Sequence, residues 1–219
     1  MAAKDDTNTW NLIHVERAAM ADTLAALTPE QWAQSSLCGG WSVRITAAHI
    51  LAGAEQTLGH FFARMAANGF RFNTMMDRDA RRLATIPPGE IIERIRATTA
   101  TTNHPPAPVM AMLGEIVVHG EDIRRPLGVA SEPSPAAVAA CLEMLSGTGF
   151  PVGAKRRIDG LHLLATDLDW SHGAGAGAGA EVRGPALSLL MAMTGRPAGW
   201  DGLEGNGLAT LSGRVASTS

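Results

Sequence analysis

Glu115 and His119 lie four positions apart in GEIVVHGEDIRRPLG, residues 114–128, a stretch that otherwise has the apolar pattern of a helix. Residues at this spacing share one face of a helix, so both side chains can reach one point beside it. A carboxylate oxygen and a neutral imidazole nitrogen both suit a zinc-like divalent ion. The same spacing is also compatible with a hydrogen-bonded or solvated pair that binds no metal, and such pairs are common by chance.

A third ligand would have to come from another helix, and His49 is the best candidate. It lies in AAHILAG, a segment of small and apolar residues, and helical bundles commonly build metal sites from side chains on facing helices. Three protein ligands leave a fourth zinc position open, which is typical of a catalytic site. We interpret the remaining histidines as structural or exposed: His14, His60, His104, His162 and His172.

The composition is that of a globular protein, with 219 residues, 46% hydrophobic and 18% charged. A formal net charge of -3, no long basic run and no tyrosine argue against nucleic acid as a partner. Cys38 and Cys141 are far apart, which favours neither a disulfide framework nor a closed cysteine-rich metal site. The N-terminus lacks the pattern of a signal peptide, and no apolar run approaches ~20 residues. We therefore expect a cytoplasmic protein without a membrane partner.

The apolar spacing predicts an all-helical domain over residues 1–148. Thr28 and Gln31 flank Pro29 in a capping-box pattern that should open a short helix. Ser42 should cap a long one, which Gly69 ends. The predicted helices lie at 8–27, from Pro29 through Trp32, at 43–68, at 89–101, at 107–124 and at 134–146.

The pattern changes after residue 148 and predicts a small α+β domain over residues 149–219. Alternating residues indicate a strand within 161–170. The tract GAGAGAGA is typical of a flexible hairpin turn between strands. The further predicted elements are a return strand at 181–183, a helix at 186–194 and a last strand at 207–215.

Three stretches, in this order, resemble the mycothiol-dependent maleylpyruvate isomerase family. CGGWSVRITAAHI, residues 38–50, is similar to the family's Cys-x-Gly-Trp…His pattern. GEIVVHGEDIRRPLG supplies the second stretch, and EVRGPALSLLMAMTGRP, residues 181–197, is similar to the family's C-terminal domain. Together they span nearly the whole chain. The resemblance implies a DinB-like four-helix bundle followed by a small α+β, sterol-carrier-like domain.

The resemblance also implies a ligand set and a co-substrate. Zinc, or another divalent metal, would be bound by His49, Glu115 and His119. The glutamate in place of a third histidine favours this family over the three-histidine pattern common in DinB-like proteins. The co-substrate would be mycothiol, an actinobacterial counterpart of glutathione.

The family further uses an arginine of its C-terminal domain near the active site, and Arg196 is the closest match. A guanidinium suits a substrate carboxylate because its planar fork makes two parallel hydrogen bonds. Alternatively, Arg196 caps the end of the preceding helix. Arg183 is the second candidate for the functional role.

Other residues near these motifs have simpler interpretations. We expect Cys38 to be a packed loop thiol rather than a ligand or nucleophile, and Trp41 to anchor its loop against the bundle. Asp122 could orient a ligand imidazole from behind the metal site, or be a carboxylate on the helix surface. Arg124 and Arg125 are expected to be charges at a helix end.

The functional hypothesis is a zinc-dependent enzyme that uses mycothiol on a small electrophilic substrate, which can carry a carboxylate. Attack by the thiolate, bond rotation and release of the sulfur would give cis–trans isomerisation, whereas retention of the sulfur would give an S-conjugate. One alternative is a hydrolase in which a metal-activated water reacts and Asp122 or Glu121 is the base. Another is a non-catalytic protein that binds a small ligand beside the helix PALSLLMAMTG.

Overall fold

The computed structural model describes most of the chain and divides it into two compact units, Met1–Glu132 and Pro133–Ser219. The expected domain boundary at residue 148 lies after the helix predicted at 134–146, whereas the two units divide before it. Among the described residues, no helix is long and apolar enough to cross a membrane. The described residues are 2–130, 132–149, 152–173 and 179–216.

The regular structure of the first unit is helical. Helices α1 and α3 each pack against both α6 and α7, which makes these four the helical bundle, and α5 packs on the outside of α3. A 3-10 turn, Thr98–Ala100, follows α6. The helices are α1 (Ala2–Ala25), α2 (Pro29–Ala33), α3 (Val43–Ala54), α4 (Leu58–Ala67), α5 (Phe72–Leu83), α6 (Pro88–Ala97) and α7 (Val109–Arg124).

The bundle is held together by apolar side chains that recur at helical spacing on the inward face of each helix. All four helices contribute residues that are completely shielded from solvent, as a close-packed core requires. These residues include Ile13, Met20 and Leu24 of α1, Ala47 and Leu51 of α3, Ile91 and Ile95 of α6, and Leu113 and Ile123 of α7.

Two predicted helix starts are confirmed by their hydrogen bonds. The hydroxyl of Thr28 accepts from the backbone N–H of Gln31, and the Gln31 side chain accepts in return from the Thr28 N–H at 2.9 Å. The hydroxyl of Ser42 accepts from the N–H of Ile45 at 3.3 Å. Each cap satisfies a backbone donor that the first helical turn leaves unpaired.

The single long helix predicted over 43–68 is wrong, because the chain breaks within it. Helix α3 ends at Ala54 and α4 begins at Leu58. Thr57 acts as a second N-cap, its hydroxyl accepting from the N–H of His60 at 3.3 Å. The apolar pattern runs through the break, so only the capping threonine marks it in the sequence.

Helix α5 has no counterpart among the predicted elements. Its sequence, FNTMMDRDARRL, is strongly polar and offers few apolar positions. Three of them, Met75, Ala80 and Leu83, are buried, and the helix packs against α3. Tertiary packing therefore stabilises a helix whose own pattern gives little signal.

The second unit contains a small three-stranded sheet and several helices, which confirms the predicted class of a helical bundle followed by a small α+β part. Strand order is β2-β1-β3, with β1 antiparallel to β2 and parallel to β3. The almost wholly buried helix α10 packs against α8, β1 and β3. The elements are α8 (Pro135–Gly147), α9 (Ala154–Arg157), β1 (Leu161–Ala165), β2 (Ser171–His172), β3 (Ala180–Gly184), α10 (Ala186–Met193) and α11 (Leu208–Ala216), with a 3-10 turn at Pro197–Trp200 before α11.

Two strand-related predictions differ from the structure. Strands β2 and β3 lie on opposite sides of β1, so the tract GAGAGAGA does not join neighbouring strands as a hairpin turn; its residues 174–178 lie outside the described residues. The strand predicted at 207–215 is instead α11. Its buried residues, Leu211 and Val215, are four positions apart, which is helical spacing.

Candidate metal centre

The bundle brings His49, Glu115 and His119 together. His49 lies on α3, the other two lie on α7, and these two helices pack against each other. The Oε2 atom of Glu115 is 2.9 Å from Nε2 of His49 and 3.4 Å from Nε2 of His119. The two imidazole rings meet edge to face with centroids 4.8 Å apart. Two ring nitrogens from different helices therefore converge on one carboxylate oxygen.

The local sequence explains how two helices approach closely enough for this. Ala47 and Ala48, which precede His49 on α3, are small and completely buried, so this part of α3 packs closely against its neighbours. On α7, the buried Gly114 adjoins Glu115. The distance between packed helices depends on the size of the side chains at their contact, so small residues favour a close approach.

This packing shifts the pKa values of Glu115 and His119 in opposite directions. Burial on its own would raise the pKa of Glu115, but the charge of His119 and hydrogen bonds from both histidines outweigh it and hold that pKa well below its ordinary value. Burial would lower the pKa of His119, but the Glu115 carboxylate and a hydrogen bond to Asp122 raise that pKa well above its ordinary value. Without a metal, the pair is therefore a carboxylate beside an imidazolium.

Asp122 lies directly behind His119, with Oδ2 2.8 Å from Nδ1 of the imidazole. Its side chain is completely buried, so the alternative of a carboxylate on the helix surface is wrong. Because a carboxylate only accepts, Nδ1 carries the proton and donates it, which leaves Nε2 for the other side of the ring. This is the partner that a metal-binding histidine commonly has.

Cys38, His119 and Asp122 form a second group of side chains that could bind a metal ion, which the sequence did not predict. Its Sγ donates to Oδ2 of Asp122 at 3.0 Å and lies 3.4 Å from Nδ1 of His119. The thiol is therefore not merely packed in its loop. No local sequence signal could have revealed this contact, because Cys38 and Asp122 are 84 positions apart.

Trp41 ties the same loop to the bundle, as expected. Its indole Nε1 donates to Oδ1 of Asp77 on α5 at 2.9 Å. Its ring also lies beside His49, with centroids 5.0 Å apart. The indole thus anchors the loop and forms one wall next to a candidate ligand.

Glu121 and the two arginines at the end of α7 form a separate network. The Oε2 atom of Glu121, which is 1% exposed, accepts from Nε of Arg125 at 2.9 Å. Arg124 is also buried, and its Nε donates to the hydroxyl of Thr23 on α1 at 3.2 Å. Arg124 and Arg125 are charges at the end of α7, as expected, and Arg124 is in addition buried. In the described residues, no hydrogen bond or ion pair joins the side chain of Glu121 to the three candidate ligands.

The two arginine candidates lie in the second unit. Nη1 of Arg196 donates to the carbonyl oxygen of Thr194, just after the end of α10, at 3.0 Å. This is the kind of contact that the helix-capping alternative expects. Arg183 lies on β3, where its Nε donates to Oε1 of Glu204 at 3.0 Å. A functional role for either arginine stays a prediction.

The three candidate ligands fit a zinc-type ion by their chemistry. Their donor atoms all lie within 4.8 Å of one another, and two imidazoles with one carboxylate form a set that catalytic zinc sites use. His119 has its supporting carboxylate in Asp122. Nδ1 of His49, in contrast, is buried without a hydrogen-bond partner among the described residues. Hydrogen bonding therefore fixes the ring of His119 more firmly than the ring of His49.

Comparison with known proteins agrees with the fold. Residues 13–109 match the family model described as Mycothiol maleylpyruvate isomerase N-terminal domain. The matched segment contains His49 and ends before Glu115 and His119. No curated protein matches the chain.

Two solved structures share the fold. They are crystal structures of a mycothiol-dependent maleylpyruvate isomerase, at 14% identity, and of its histidine-to-alanine mutant, at 12% identity. Each match covers 91% of this chain and 92% of the other, with a TM-score of 0.63. The likeness to this family therefore rests on residues 13–109 for the sequence and on most of the chain for the fold.

Proposed function

We propose that this chain is a divalent-metal enzyme, with zinc as the expected metal, that uses mycothiol as co-substrate on a small electrophile. Its reaction is S-transfer or a cis–trans isomerisation of the maleylpyruvate type. The observation that carries the proposal is the convergence of His49, Glu115 and His119 on one point in a chain similar to this domain family. Similarity to this family supports an enzyme of the isomerase or transferase kind.

Each residue of the centre has a defined task in this proposal. A divalent ion held by His49, Glu115 and His119 would supply positive charge that lowers the pKa of a bound thiol. Asp122 keeps a proton of His119 on Nδ1, so that the lone pair of Nε2 would be available to the ion. Glu115 contributes the negative charge that partly offsets the charge of the ion.

The thiol chemistry accounts for both reactions. The mycothiol thiolate adds to one carbon of an activated cis double bond, and the electron pair moves onto the conjugated carbonyl oxygen. The former double bond is then single and can rotate. Expulsion of the thiolate restores the double bond in the trans form. If the electrophile instead carries a leaving group, that group departs and the sulfur stays attached.

Arg196 is the expected partner of a substrate carboxylate. Its guanidinium can make two parallel hydrogen bonds to a carboxylate, and maleylpyruvate, named for the two similar structures, carries two such groups. In the structure, Nη1 of Arg196 donates to the carbonyl oxygen of Thr194.

The hydrolase alternative is weaker because neither expected base is free to act. Oδ2 of Asp122 already accepts hydrogen bonds from His119 and Cys38. The Glu121 carboxylate is bound to Arg125. A general base must reach the attacking water and then accept its proton. The non-catalytic alternative requires no general base, and the assay below tests it.

The test is a product analysis of zinc-loaded protein with mycothiol and two electrophiles, maleylpyruvate and monochlorobimane. We expect conversion that requires both zinc and mycothiol. Isomerisation leaves the mass of maleylpyruvate unchanged, whereas transfer to monochlorobimane gives a conjugate that contains the mycothiol sulfur. Chromatography with mass spectrometry separates these products.

The matched control for this assay is His60→Ala, which removes an exposed histidine of α4. It should leave the reaction rate unchanged, whereas His119→Ala should abolish the thiol-dependent reaction. Conversion of either electrophile at the same rate without mycothiol would contradict the thiol-dependent proposal. Zinc binding without any reaction across a wider set of electrophiles would favour the non-catalytic alternative.

A further inference from the structure

We propose that Cys38 is a positioning residue for His119 and acts through the carboxylate of Asp122. The inference rests on the proposed function, because it deepens the assignment of His119 as a metal ligand. Cys38 is neither one of the three candidate metal ligands nor a part of the proposed mycothiol reaction, and this role accounts for the contacts of its thiol. The inference also assigns this role to a loop, Ser36–Trp41, that lies outside the helices of the bundle.

The thiol of Cys38 and the imidazole of His119 donate to the same carboxylate oxygen of Asp122. Sγ of Cys38 donates to Oδ2 of Asp122 at 3.0 Å, and the same oxygen accepts from Nδ1 of His119 at 2.8 Å. The opposite nitrogen of His119, Nε2, faces Glu115. Cys38 therefore lies beside Nδ1 of His119, 3.4 Å away, on the side of the ring opposite to Nε2 and the candidate metal position.

The loop holds the sulfur in place through several hydrogen bonds. The N–H of Cys38 donates to the hydroxyl oxygen of Ser36 at 3.1 Å, and the Thr46 hydroxyl donates to the same oxygen at 2.8 Å. The N–H of Leu37 donates to the backbone carbonyl of Asp122 at 2.9 Å. The thiol is thus fixed to α3 on one side and to the backbone of α7 on the other.

This arrangement determines what the thiol contributes. A buried carboxylate with two donors on one oxygen loses rotational freedom, so its lone pairs stay aimed at them. A fixed Asp122 in turn fixes the tautomer and the ring orientation of His119. A hydroxyl in place of the thiol would keep the donated hydrogen bond, whereas a methyl group would remove it.

The test is a zinc titration of the full chain against a competing chelator, with four variants. Cys38→Ala should weaken zinc binding about tenfold, the lower end of the range for residues behind a ligand. Cys38→Ser should stay within about threefold of the original protein because it keeps a donor. Asp122→Asn should weaken binding about tenfold to a hundredfold.

The decisive variant is the double substitution of Cys38→Ala with Asp122→Asn. If Cys38 acts through Asp122, its loss should cost no further affinity once Asp122 is replaced, so the two effects should not add. Additive effects would overturn the proposal. Cys141→Ala, which removes the buried cysteine of α8, should leave zinc affinity unchanged and controls for the loss of a thiol.

A second readout separates positioning from direct ligation. The cobalt-loaded protein should lack the near-ultraviolet absorption of a cobalt–thiolate bond, and the appearance of that band would overturn the proposal by making Cys38 a ligand. Thermal unfolding of every variant shows whether the fold persists. Unchanged zinc affinity in a folded Cys38→Ala variant would also overturn the proposal.

A third readout does not depend on the proposed function. In metal-free protein, at a pH where the His119 ring is neutral, its nitrogen chemical shifts report which ring nitrogen carries the proton. We expect a protonated Nδ1 in the original protein and in Cys38→Ser, and a mixture of tautomers in Cys38→Ala. If zinc fails to bind at all, the proposed function fails, and identical spectra in all three proteins would separately overturn the role of Cys38.

Discussion

At the scale of single residues, Glu115 and His119 make the metal-free centre sensitive to pH. The raised pKa of His119 contributes stability that is fully present below its ordinary value of 6.5 and is lost as pH rises through the raised value. The lowered pKa of Glu115 contributes stability that is present above its ordinary value of 4.5 and is lost as pH falls through the lowered value. Both contributions are present between these two ordinary values.

We therefore expect the free energy of unfolding of metal-free protein to decrease as pH rises from about 6.5 through the raised pKa of His119. The His119→Gln variant should lack this decrease, because glutamine has no proton to lose. Urea unfolding at a series of pH values measures both proteins. A decrease of equal size in the variant would show that another group is responsible.

The proposed role of Arg196 in substrate binding can be tested by comparing its substitution with that of Arg183. If Arg196 binds a substrate carboxylate, Arg196→Ala should lower kcat/KM for a carboxylate-bearing electrophile by about tenfold or more, since charge-assisted hydrogen bonds are lost. Zinc affinity should not change, because arginine is not a metal ligand. Arg183→Ala, which removes a partner of Glu204, is the matched control. An equal loss in both variants would contradict the assignment.

At the scale of elements, the end of α7 is fastened to α1 by a buried charged network. Glu121→Gln removes a negative charge next to Arg125 and Arg124. We expect the free energy of unfolding to fall by roughly 2 kcal/mol, the size of a hydrogen bond to a charged group. Zinc affinity should stay within about twofold, because the substitution touches none of the three ligands.

Chemical denaturation and the chelator titration measure these two effects. Glu143→Gln, at an exposed position of α8, serves as the control and should change neither quantity. A large loss of zinc affinity with unchanged stability in Glu121→Gln would show instead that Glu121 belongs to the metal centre. That result would also revive the hydrolase alternative.

Elements with local signals could be predicted from the sequence, and those without them could not. Thr28 and Ser42 mark helix starts because their hydroxyls accept hydrogen bonds from backbone N–H groups three residues further along the chain. The break before Leu58 interrupts no apolar pattern, and α5 owes its stability to packing against α3. The strand predicted in place of α11 is wrong because that region is short and rich in small residues, which weakens its helical pattern.

Within the candidate site, too, the residues with a local sequence signal could be predicted and those brought together by packing could not. The spacing of Glu115 and His119 is local and predicts a shared helix face directly. His49 is joined to them only by the packing of α3 on α7, so the residues alone make it a candidate and the resemblance to a family strengthens it. The contact of Cys38 with Asp122 spans 84 positions and has no counterpart in any local pattern.

At the scale of the whole molecule, the three candidate ligands lie in one compact unit. His49, Glu115 and His119 all belong to Met1–Glu132. We expect residues 1–132, produced alone, to fold as a helical unit and to bind zinc within about threefold of the affinity of the full chain, since domains generally carry their own core. Circular dichroism and the chelator titration measure this. A helical fragment that binds no zinc would contradict the assignment of all ligands to this unit.

The central claim is the shared site of three ligands, and metal content tests it most directly. Elemental analysis after incubation with zinc and removal of excess should give about one zinc per chain for the original protein and for His60→Ala. His49→Ala and Glu115→Ala should each retain far less, while circular dichroism shows an unchanged helical fold. Full zinc content in both variants, or none in the original protein, would mean that Glu115 and His119 are a hydrogen-bonded polar pair and not metal ligands.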